Sequence, residues 1–390
     1  MEQTTTHKIE SSDLGIQDWD QLDAKLPLLR GIYAYGFEKP SPIQSKAIIP
    51  LLLGRDVIVQ AQSGTGKTGC FAISSLQIAD ENNNVPQVMI LSPTRELSHQ
   101  TKSVVDSIGH QIDGLRTQLL IGGTSTEEDI NKLTSTPPQI VIGCPGRVYD
   151  MLCRKRLDSK GLKLIILDEA DEMLSQGFKE QVYNIFQYLP KDIQVALFSA
   201  TMPSELTTLT DKFMRDPLSI LVKAEQLTLE GIAQYYVTLE NDEQKYETLK
   251  DLYSHLTVSQ CIIYCNSVKR VQDLYEAMVA DDFPVCQIHS SMDRADRDAS
   301  YIDFRSGRYR VLISSNVTAR GIDIQQVSTV INFDIPKCVH TYLHRIGRSG
   351  RWGRKGTGIN FITRRDACKL RELEEFYSVS IEELPESFVS

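Results

Sequence analysis

Residues 57–68 read Val-Ile-Val-Gln-Ala-Gln-Ser-Gly-Thr-Gly-Lys-Thr, which predicts a strand, a phosphate-binding loop and the start of a helix. Gly64 and Gly66 let the backbone curl so that several N–H groups face one anion, and the following helix adds its positive end. Lys67 can reach the outer phosphates of a nucleotide, and the Thr68 hydroxyl can bind Mg²⁺. Ala61 stands where the usual pattern has glycine. The alternative is an ordinary turn rich in Gly, Ser and Thr between a strand and a helix.

Composition favours two domains and argues against several classes of protein. The chain has 390 residues, of which 41% are apolar, and this is ample for packed cores. The net charge of −9 argues against a strongly basic nucleic-acid-binding surface, although a local basic groove is compatible with it.

Eight scattered cysteines without a C-x-x-C pair predict buried thiols in a reducing compartment rather than zinc. No apolar run approaches the about 18 residues that span a bilayer, and the polar N-terminus shows no secretory signal. We therefore expect a cytoplasmic protein without membrane contact, with the nucleus as the alternative.

Short apolar runs alternate with helical segments along the whole chain. They occupy residues 57–59, 88–91, 140–142, 164–167, 195–198, 261–264, 285–288, 311–313, 330–333 and 359–362. Continuous apolar strands followed by polar residues are typical of a parallel sheet covered by helices on both faces. Functional groups in such sheets gather at the carboxyl ends of strands, so distant polar clusters should converge beside the phosphate loop. We predict an α/β fold with a flexible tail at 1–15, a first lobe at 16–222, a short linker at 223–231 and a second lobe at 232–390.

Two further pairs of residues fit nucleotide chemistry. Phosphoryl transfer needs a carboxylate that binds Mg²⁺ and a group that orients or deprotonates the attacking water, and Asp168 and Glu169 suit these roles. The alternative is an acidic helix start, since carboxylates favour helix N-termini. In the Pro-flanked loop near residue 40, the Phe37 ring could stack on adenine and the Gln44 amide could pair with its edge. Packing and helix capping are the alternatives for these two residues.

The letters at 168–171 spell D-E-A-D, and with the segments around them the chain resembles a DEAD-box RNA helicase. Matching segments run in order from about Trp19 to the end, at 36–44, 61–68, 93–97, 122–123, 145–147, 168–171, 199–201, 319–323 and 344–351. Residues 29–41 are similar to the translation initiation factor 4A subgroup. The resemblance implies two tandem RecA-like lobes and an RNA-stimulated ATPase that unwinds short RNA duplexes or remodels RNA–protein complexes, in translation initiation.

The resemblance also implies roles for matched positions around ATP and Mg²⁺. Thr68 and Asp168 would bind the metal, and Trp19 would stand where the family has an upstream Phe. Ser199 and Thr201 would link hydrolysis to lobe closure through Asp171 and His344. The implied catalytic residues are Lys67, Asp168, Glu169, Ser199, Thr201, His344, Arg348 and Arg351, the last two reaching the γ-phosphate from the second lobe. The implied nucleotide contacts are Phe37, Gln44, Ala61, Gln62, Ser63, Gly64, Thr65, Gly66, Lys67, Thr68, Gly321, Asp323, Arg348 and Arg351.

RNA contacts implied by the resemblance involve few basic groups, mostly beside small residues. They are Arg95, Gly123, Arg147, Asn266, Arg297, Ser314 and Arg320. This set fits contacts to the phosphates and 2′-hydroxyls of RNA, without recognition of the base sequence. We also expect a monomer whose partners are scaffold proteins, similar to initiation factors, that bridge the two lobes.

Several residues depart from the family pattern, mostly on the RNA side. They are Cys144 for Thr, Ser98-His99 for Ala-Gln, Ser290 for Gly, Arg294 for Gln, Asn316 for Asp and Trp352 for Phe. These departures bear on strand separation more than on ATP binding. The same motifs would also serve an ATP-gated RNA clamp that acts as a scaffold for partner proteins, and this is an alternative function. A DNA-directed translocase is disfavoured because the motif set resembles RNA enzymes.

Overall fold

The computed structural model describes residues 15–61, 65–175, 177–221, 232–256, 260–316, 327–347 and 356–385. The chain divides into two compact units, 1–223 and 224–390. The linker expected at 223–231 lies outside the described residues. So does the tail expected at 1–15, except for Gly15.

The first unit is built on a parallel sheet. Its described strands are β1 (Val57–Gln60), β2 (Val88–Leu91), β3 (Thr117–Leu120), β4 (Ile140–Gly143), β5 (Leu164–Asp168), β6 (Gln194–Ser199) and β7 (Leu218–Leu221). They lie in the order β3-β4-β2-β5-β6-β1-β7, and every neighbouring pair is parallel. Each strand therefore ends at the same edge of the sheet as its neighbours.

Helices cover both faces of this sheet. They are α1 (Leu26–Ala34), α2 (Pro42–Leu52), α3 (Lys67–Ile78), α4 (Arg95–Gly109), α5 (Thr126–Ser135), α6 (Pro145–Cys153), α7 (Ala170–Ser175), α8 (Lys179–Tyr188) and α9 (Ser204–Phe213). Val57 and Val59 belong to one apolar core and Ile58 to the core on the opposite face, as the alternation of side chains along a strand requires. Burial on both faces explains why these strands read as continuous apolar runs.

The second unit repeats this architecture. Its described strands are β8 (Ile232–Thr238), β9 (Gln260–Tyr264), β10 (Val285–Ile288), β11 (Val311–Ser314), β12 (Val327–Asn332), β13 (Gly356–Ile362) and β14 (Glu382–Glu383). All neighbours in the order β10-β11-β9-β12-β13-β8-β14 are parallel. The helices are α10 (Asp242–Leu256), α11 (Val268–Ala280), α12 (Arg294–Arg305), α13 (Val339–Ile346) and α14 (Ala367–Tyr377).

The predicted fold class is confirmed, since two parallel sheets each carry helices on both faces. Four strands were not predicted from the sequence: β3, β7, β8 and β14. None of the helices that the structure describes combines the length and the apolar character needed to span a bilayer.

Candidate active site

The carboxyl edge of the first sheet brings together the polar segments that are far apart in the sequence, as predicted. The phosphate loop follows β1, Asp168 ends β5 and Ser199 ends β6, and these three strands are consecutive in the sheet. Arg95, Gly123 and Arg147 follow β2, β3 and β4, which are also consecutive. One half of the edge therefore carries the residues expected to bind nucleotide and the other half those expected to bind RNA. We call them the nucleotide half and the RNA half, and they meet where β2 pairs with β5.

A buried ion pair lies at the centre of the nucleotide half. Lys67 is the first residue of α3 and follows Gly66, whose φ of 99° belongs to the left-handed region. Lys67 Nζ lies 3.3 Å from Glu169 Oε1, and the two side chains are only 5% and 4% exposed. A phosphate group that binds to Lys67 must therefore share or replace its contact with Glu169.

Glu169 adopts an uncommon backbone conformation immediately after β5. Its φ is 49°, in the left-handed region that few residues other than glycine adopt, and strained conformations of this kind cluster at active sites. Burial, and then the negative charge of Glu169, raise the pKa of the neighbouring Asp168 to about 7. Asp168, Glu169 and Asp171 are all buried, so this strand end concentrates carboxyl groups in an environment that favours added positive charge.

Ser199 and Thr201 are hydrogen-bonded to the same acidic segment. Thr201 Oγ1 donates to Asp171 Oδ2 at 2.6 Å, and the backbone N–H of Asp171 donates to Ser199 Oγ at 3.3 Å. Ser199 Oγ in turn donates to Thr201 O at 2.8 Å. These bonds join the start of α7, which follows β5, to the end of β6 and to Thr201 just after it. His344, the other expected partner, lies on α13 of the second unit.

The loop before α2 packs directly onto the start of α3. Gln44 Nε2 donates to Gly66 O at 3.2 Å, while Gln44 Oε1 accepts from the Ser41 N–H at 2.8 Å in a capping box. Gln44 can therefore cap α2 and still bind adenine as expected, because its side-chain amide has a second N–H donor and a second lone pair on its oxygen. Trp19 is fully buried and its ring stacks 6.3 Å from that of Phe37, so Trp19 supports Phe37 from the protein side.

Gly69 is the position where this packing leaves least room. A Cβ at Gly69 would lie 2.7 Å from Gln44 Nε2 and 2.8 Å from Phe37 Cε2. We expect Gly69→Ala to displace both side chains and to raise the KM for ATP about tenfold, equivalent to ~1.4 kcal/mol. Steady-state phosphate release at varied ATP concentration measures this change.

Gly146→Ala is the matched control for this prediction, because Gly146 is also helical and a Cβ there meets nothing closer than Gln181 Oε1 at 4.0 Å. The KM for ATP should stay unchanged in this variant. Equal KM values for the two variants would show that Phe37 and Gln44 do not contribute to ATP binding.

The RNA half of the first unit is more tightly connected than the sequence indicates. A Cβ at Gly122 would lie 3.2 Å from Arg95 Nη2, so the Arg95 guanidinium lies against this glycine. Arg147 forms an ion pair with Asp129 on α5. Two of the family departures, Ser98 and Cys144, are in contact, with 3.6 Å between Oγ and Sγ.

Three of the four RNA contacts expected in the second unit lie on, or follow, consecutive strands as well. Asn266 follows β9, Arg297 lies on α12 after β10, and Ser314 ends β11. Two of these side chains also bond within the unit. Asn266 Nδ2 donates to Ile335 O at 2.8 Å, and Ser314 Oγ, fully buried, lies 2.8 Å from Ile288 O.

Arg345 was given no role in the sequence-based prediction, yet it organises this region. Its five N–H donors all have acceptors: Nε and Nη2 donate to Asn316 Oδ1, Nη1 to Asn332 Oδ1 and Asp334 O, and Nη2 to Asn266 Oδ1. The guanidinium also lies 5.2 Å from the Tyr264 ring centroid. Asn316, a departure from the family Asp, thus retains an oxygen that accepts two hydrogen bonds from Arg345.

Some expected site residues cannot be placed. Those outside the described residues are Gln62, Ser63, Gly64, Arg320, Gly321, Asp323, Arg348 and Arg351. Trp352, one of the departures, is outside them as well, and Arg294 is described only as the first residue of α12.

Family models match most of the described chain. Residues 41–209 match DEAD/DEAH box helicase, and residues 244–353 match the helicase conserved C-terminal domain. A relative from Pyricularia oryzae, "ATP-dependent RNA helicase eIF4A", is 52% identical over 386 residues, covering 99% of this chain and 97% of its own length. The protein of the same name from Neurospora crassa is 52% identical over 379 residues, covering 97% and 95%.

Solved structures agree with this assignment. S. cerevisiae Dbp5 bound to RNA and ADP BeF3 has a TM-score of 0.88 at 35% identity, covering 95% of this chain and 96% of that one. Mss116p bound to ssRNA and AMP-PNP has a TM-score of 0.86 at 25% identity, covering 97% and 82%. The chain therefore belongs to the DEAD/DEAH box helicase family, and within it to the eIF4A subgroup of ATP-dependent RNA helicases.

Proposed function

We propose that this enzyme couples ATP hydrolysis to the unwinding of short RNA duplexes or the remodelling of RNA–protein contacts during translation initiation. The observation that carries the proposal is the carboxyl edge of the first sheet, where the Lys67–Glu169 pair and the expected RNA contacts come from neighbouring strands. The role in initiation follows the eIF4A name of relatives that are 51–52% identical over nearly the whole chain.

In this proposal the buried pair does the chemistry of hydrolysis. Lys67 binds the outer phosphates of ATP, and its positive charge stabilises the charge that develops on the transferred phosphoryl group. Glu169, released from Lys67, orients the attacking water and accepts its proton. Burial of the Glu169 side chain restricts its orientations, which lowers the entropic cost of aligning the water.

Mg²⁺ is the metal that the residues fit. Thr68 and Asp168 would hold it, since hydroxyl and carboxylate oxygens are the ligands that Mg²⁺ prefers. Burial and the charge of Glu169 raise the pKa of Asp168 more than the positive charge of Lys67 lowers it, so a further positive charge beside this carboxyl group would be favourable. The ion, when bound with ATP, would neutralise phosphate charge in the transition state.

The remaining catalytic assignments are also part of the proposal. Ser199 and Thr201 would transmit the state of the nucleotide through Asp171, and the hydrogen bonds between these residues support that role. Arg348 and Arg351 would stabilise the transferring phosphoryl group, as guanidinium groups do in other phosphoryl-transfer enzymes. His344 would take part in the coupling to RNA.

We further propose that the enzyme acts as a cytoplasmic monomer whose partners are initiation-factor-like scaffold proteins. The net charge of −9 fits RNA binding that is confined to a groove, because only the groove then needs to be positively charged.

Phosphate release from ATP, measured with and without single-stranded RNA, tests the proposal. RNA should raise the rate about tenfold or more, within the range that coupling between two ligand sites commonly spans. DNA of the same sequence is the matched control and should have little effect, because 2′-hydroxyls distinguish the two polymers. Equal stimulation by DNA would contradict an RNA-directed enzyme. RNA binding without turnover would favour the ATP-gated clamp.

A further inference from the structure

The Arg147 side chain forms hydrogen bonds and an ion pair within the first unit instead of projecting from the RNA half of the sheet edge. Its Nη1 forms an ion pair with Asp129 Oδ2 and lies 3.3 Å from Thr124 Oγ1, and its Nη2 donates to Thr124 O at 3.0 Å. The Arg147 and Asp129 side chains are only 10% and 7% exposed. Most of the hydrogen-bonding capacity of this arginine is therefore used inside the first unit.

Asp129 and Thr124 complete a closed set of contacts with Arg147. Thr124 Oγ1 lies 3.0 Å from Asp129 Oδ2 and 2.9 Å from Ile121 O, and its single proton can serve one of them at a time. Gln118 Nε2, on β3, donates to Asp129 O at 3.0 Å. The set fastens the loop between β3 and α5 to the first turns of α5 and α6.

This loop contains the two glycines of the RNA half. Gly123 has a φ of 87°, a conformation that glycine adopts without strain. Gly122 lies against the Arg95 guanidinium, as described above. The shape of residues 122–124 thus determines both where the loop backbone meets RNA and where Arg95 is directed.

A buried ion pair is weak evidence for stability, because removing two charges from water offsets most of their attraction. Its position at a ligand-binding edge calls for another role. We propose that Arg147, Asp129 and Thr124 form a positioning clamp, in which Asp129 is a positioning residue that sets the 122–124 loop for RNA through Arg147. This inference rests on the proposed function, since it concerns the RNA contacts of the same site. It replaces the direct phosphate contact expected for Arg147.

Asp129→Asn, Arg147→Met and the double variant separate the clamp from a direct contact. With the clamp, each single variant should weaken binding of a single-stranded RNA about tenfold, a size that couplings between contacting residues commonly reach. The double variant should bind RNA no more weakly than either single variant, because each single substitution already disrupts the clamp. The rate at saturating RNA should be retained, while the RNA concentration for half-maximal stimulation rises.

Salt dependence provides the sharpest comparison. A lost phosphate contact reduces the slope of log affinity against log salt by about 0.7 for a single strand. The clamp predicts the same slope for Arg147→Met as for Asp129→Asn, because both variants release the same loop. A reduced slope in Arg147→Met, with unchanged or stronger RNA binding by Asp129→Asn, would overturn the proposal and make Arg147 a phosphate contact.

Thr124→Val tests the clamp without creating a buried unpaired charge. It removes the hydroxyl but keeps the Arg147–Asp129 pair, and it should weaken RNA binding in the same direction, whereas Thr124→Ser should bind as the wild type does. Wild-type affinity for RNA in both Thr124→Val and Asp129→Asn would contradict this inference but not the proposed function. A wild-type chain without RNA affinity would remove the proposed function and the inference with it.

Discussion

Replacement of Glu169 by glutamine should lower the rate of ATP hydrolysis about a hundredfold or more, the range typical of losing a general base. Glutamine has nearly the same shape, but its amide cannot accept the proton of the attacking water. ATP binding should be retained, because Lys67 loses a competing negative charge only 3.3 Å away. The variant should therefore hold RNA tightly with ATP bound. Steady-state phosphate release and RNA retention in the presence of ATP measure the two effects.

Glu180→Gln is the control for this variant, because Glu180 is an exposed carboxylate in the first turn of α8 of the same unit. Its turnover should equal that of the wild type. If Glu169→Gln also hydrolysed ATP at a near-wild-type rate, Glu169 would not be the residue that activates water.

Replacement of Arg345 by methionine should lower the free energy of unfolding of the second unit by about 3 kcal/mol, because it leaves several buried oxygens without a donor and each such loss costs about 1–3 kcal/mol. Methionine can fill much of the space but provides no donors. The oxygens of Asn266, Asn316 and Asn332 would each lose a hydrogen bond inside the unit. Urea unfolding of the whole chain, with hydrogen exchange to localise the loss to residues 232–385, measures the effect.

Arg308→Met is the matched comparison in the same unit. The Arg308 side chain is 70% exposed and its nearest carboxylate oxygen, on Asp303, is 3.4 Å away, so the expected loss is below about 1 kcal/mol. Similar losses in the two variants would show that the buried guanidinium does not hold the second unit together.

The fold was predictable from the sequence where strands are buried on both faces. Such strands read as unbroken apolar runs, and β2 and β10 were predicted with their observed bounds. The four missed strands are all partly exposed, and three of them, β3, β7 and β14, lie at sheet edges. An edge strand alternates or loses its apolar residues, so it carries no continuous run to recognise.

The convergence of the phosphate loop and the strand-end carboxylates on one sheet edge was also predictable, because both have local sequence patterns. Pairings between distant residues were not. Asp129 is one of three consecutive acidic residues at the start of α5, and nothing in that run distinguishes the carboxylate that Arg147 requires. Arg345 has no local sign of its four acceptor residues, two of which precede it by more than 25 positions. Pairings of this kind depend on packing that only the folded chain provides.

The division of the first sheet into two halves has a consequence for inhibition. Asp168 ends β5 and Arg95 follows β2, and adjacent strands are only about 4.8 Å apart. A small molecule seated over this junction would cover the carboxylates proposed for hydrolysis and the segment that leads from β2 to Arg95, so we expect it to interfere with both ligands. A compound seated over the end of β1 would compete with ATP alone, and one over the end of β3 with RNA alone. The mode of competition would thus report where on the edge an inhibitor sits.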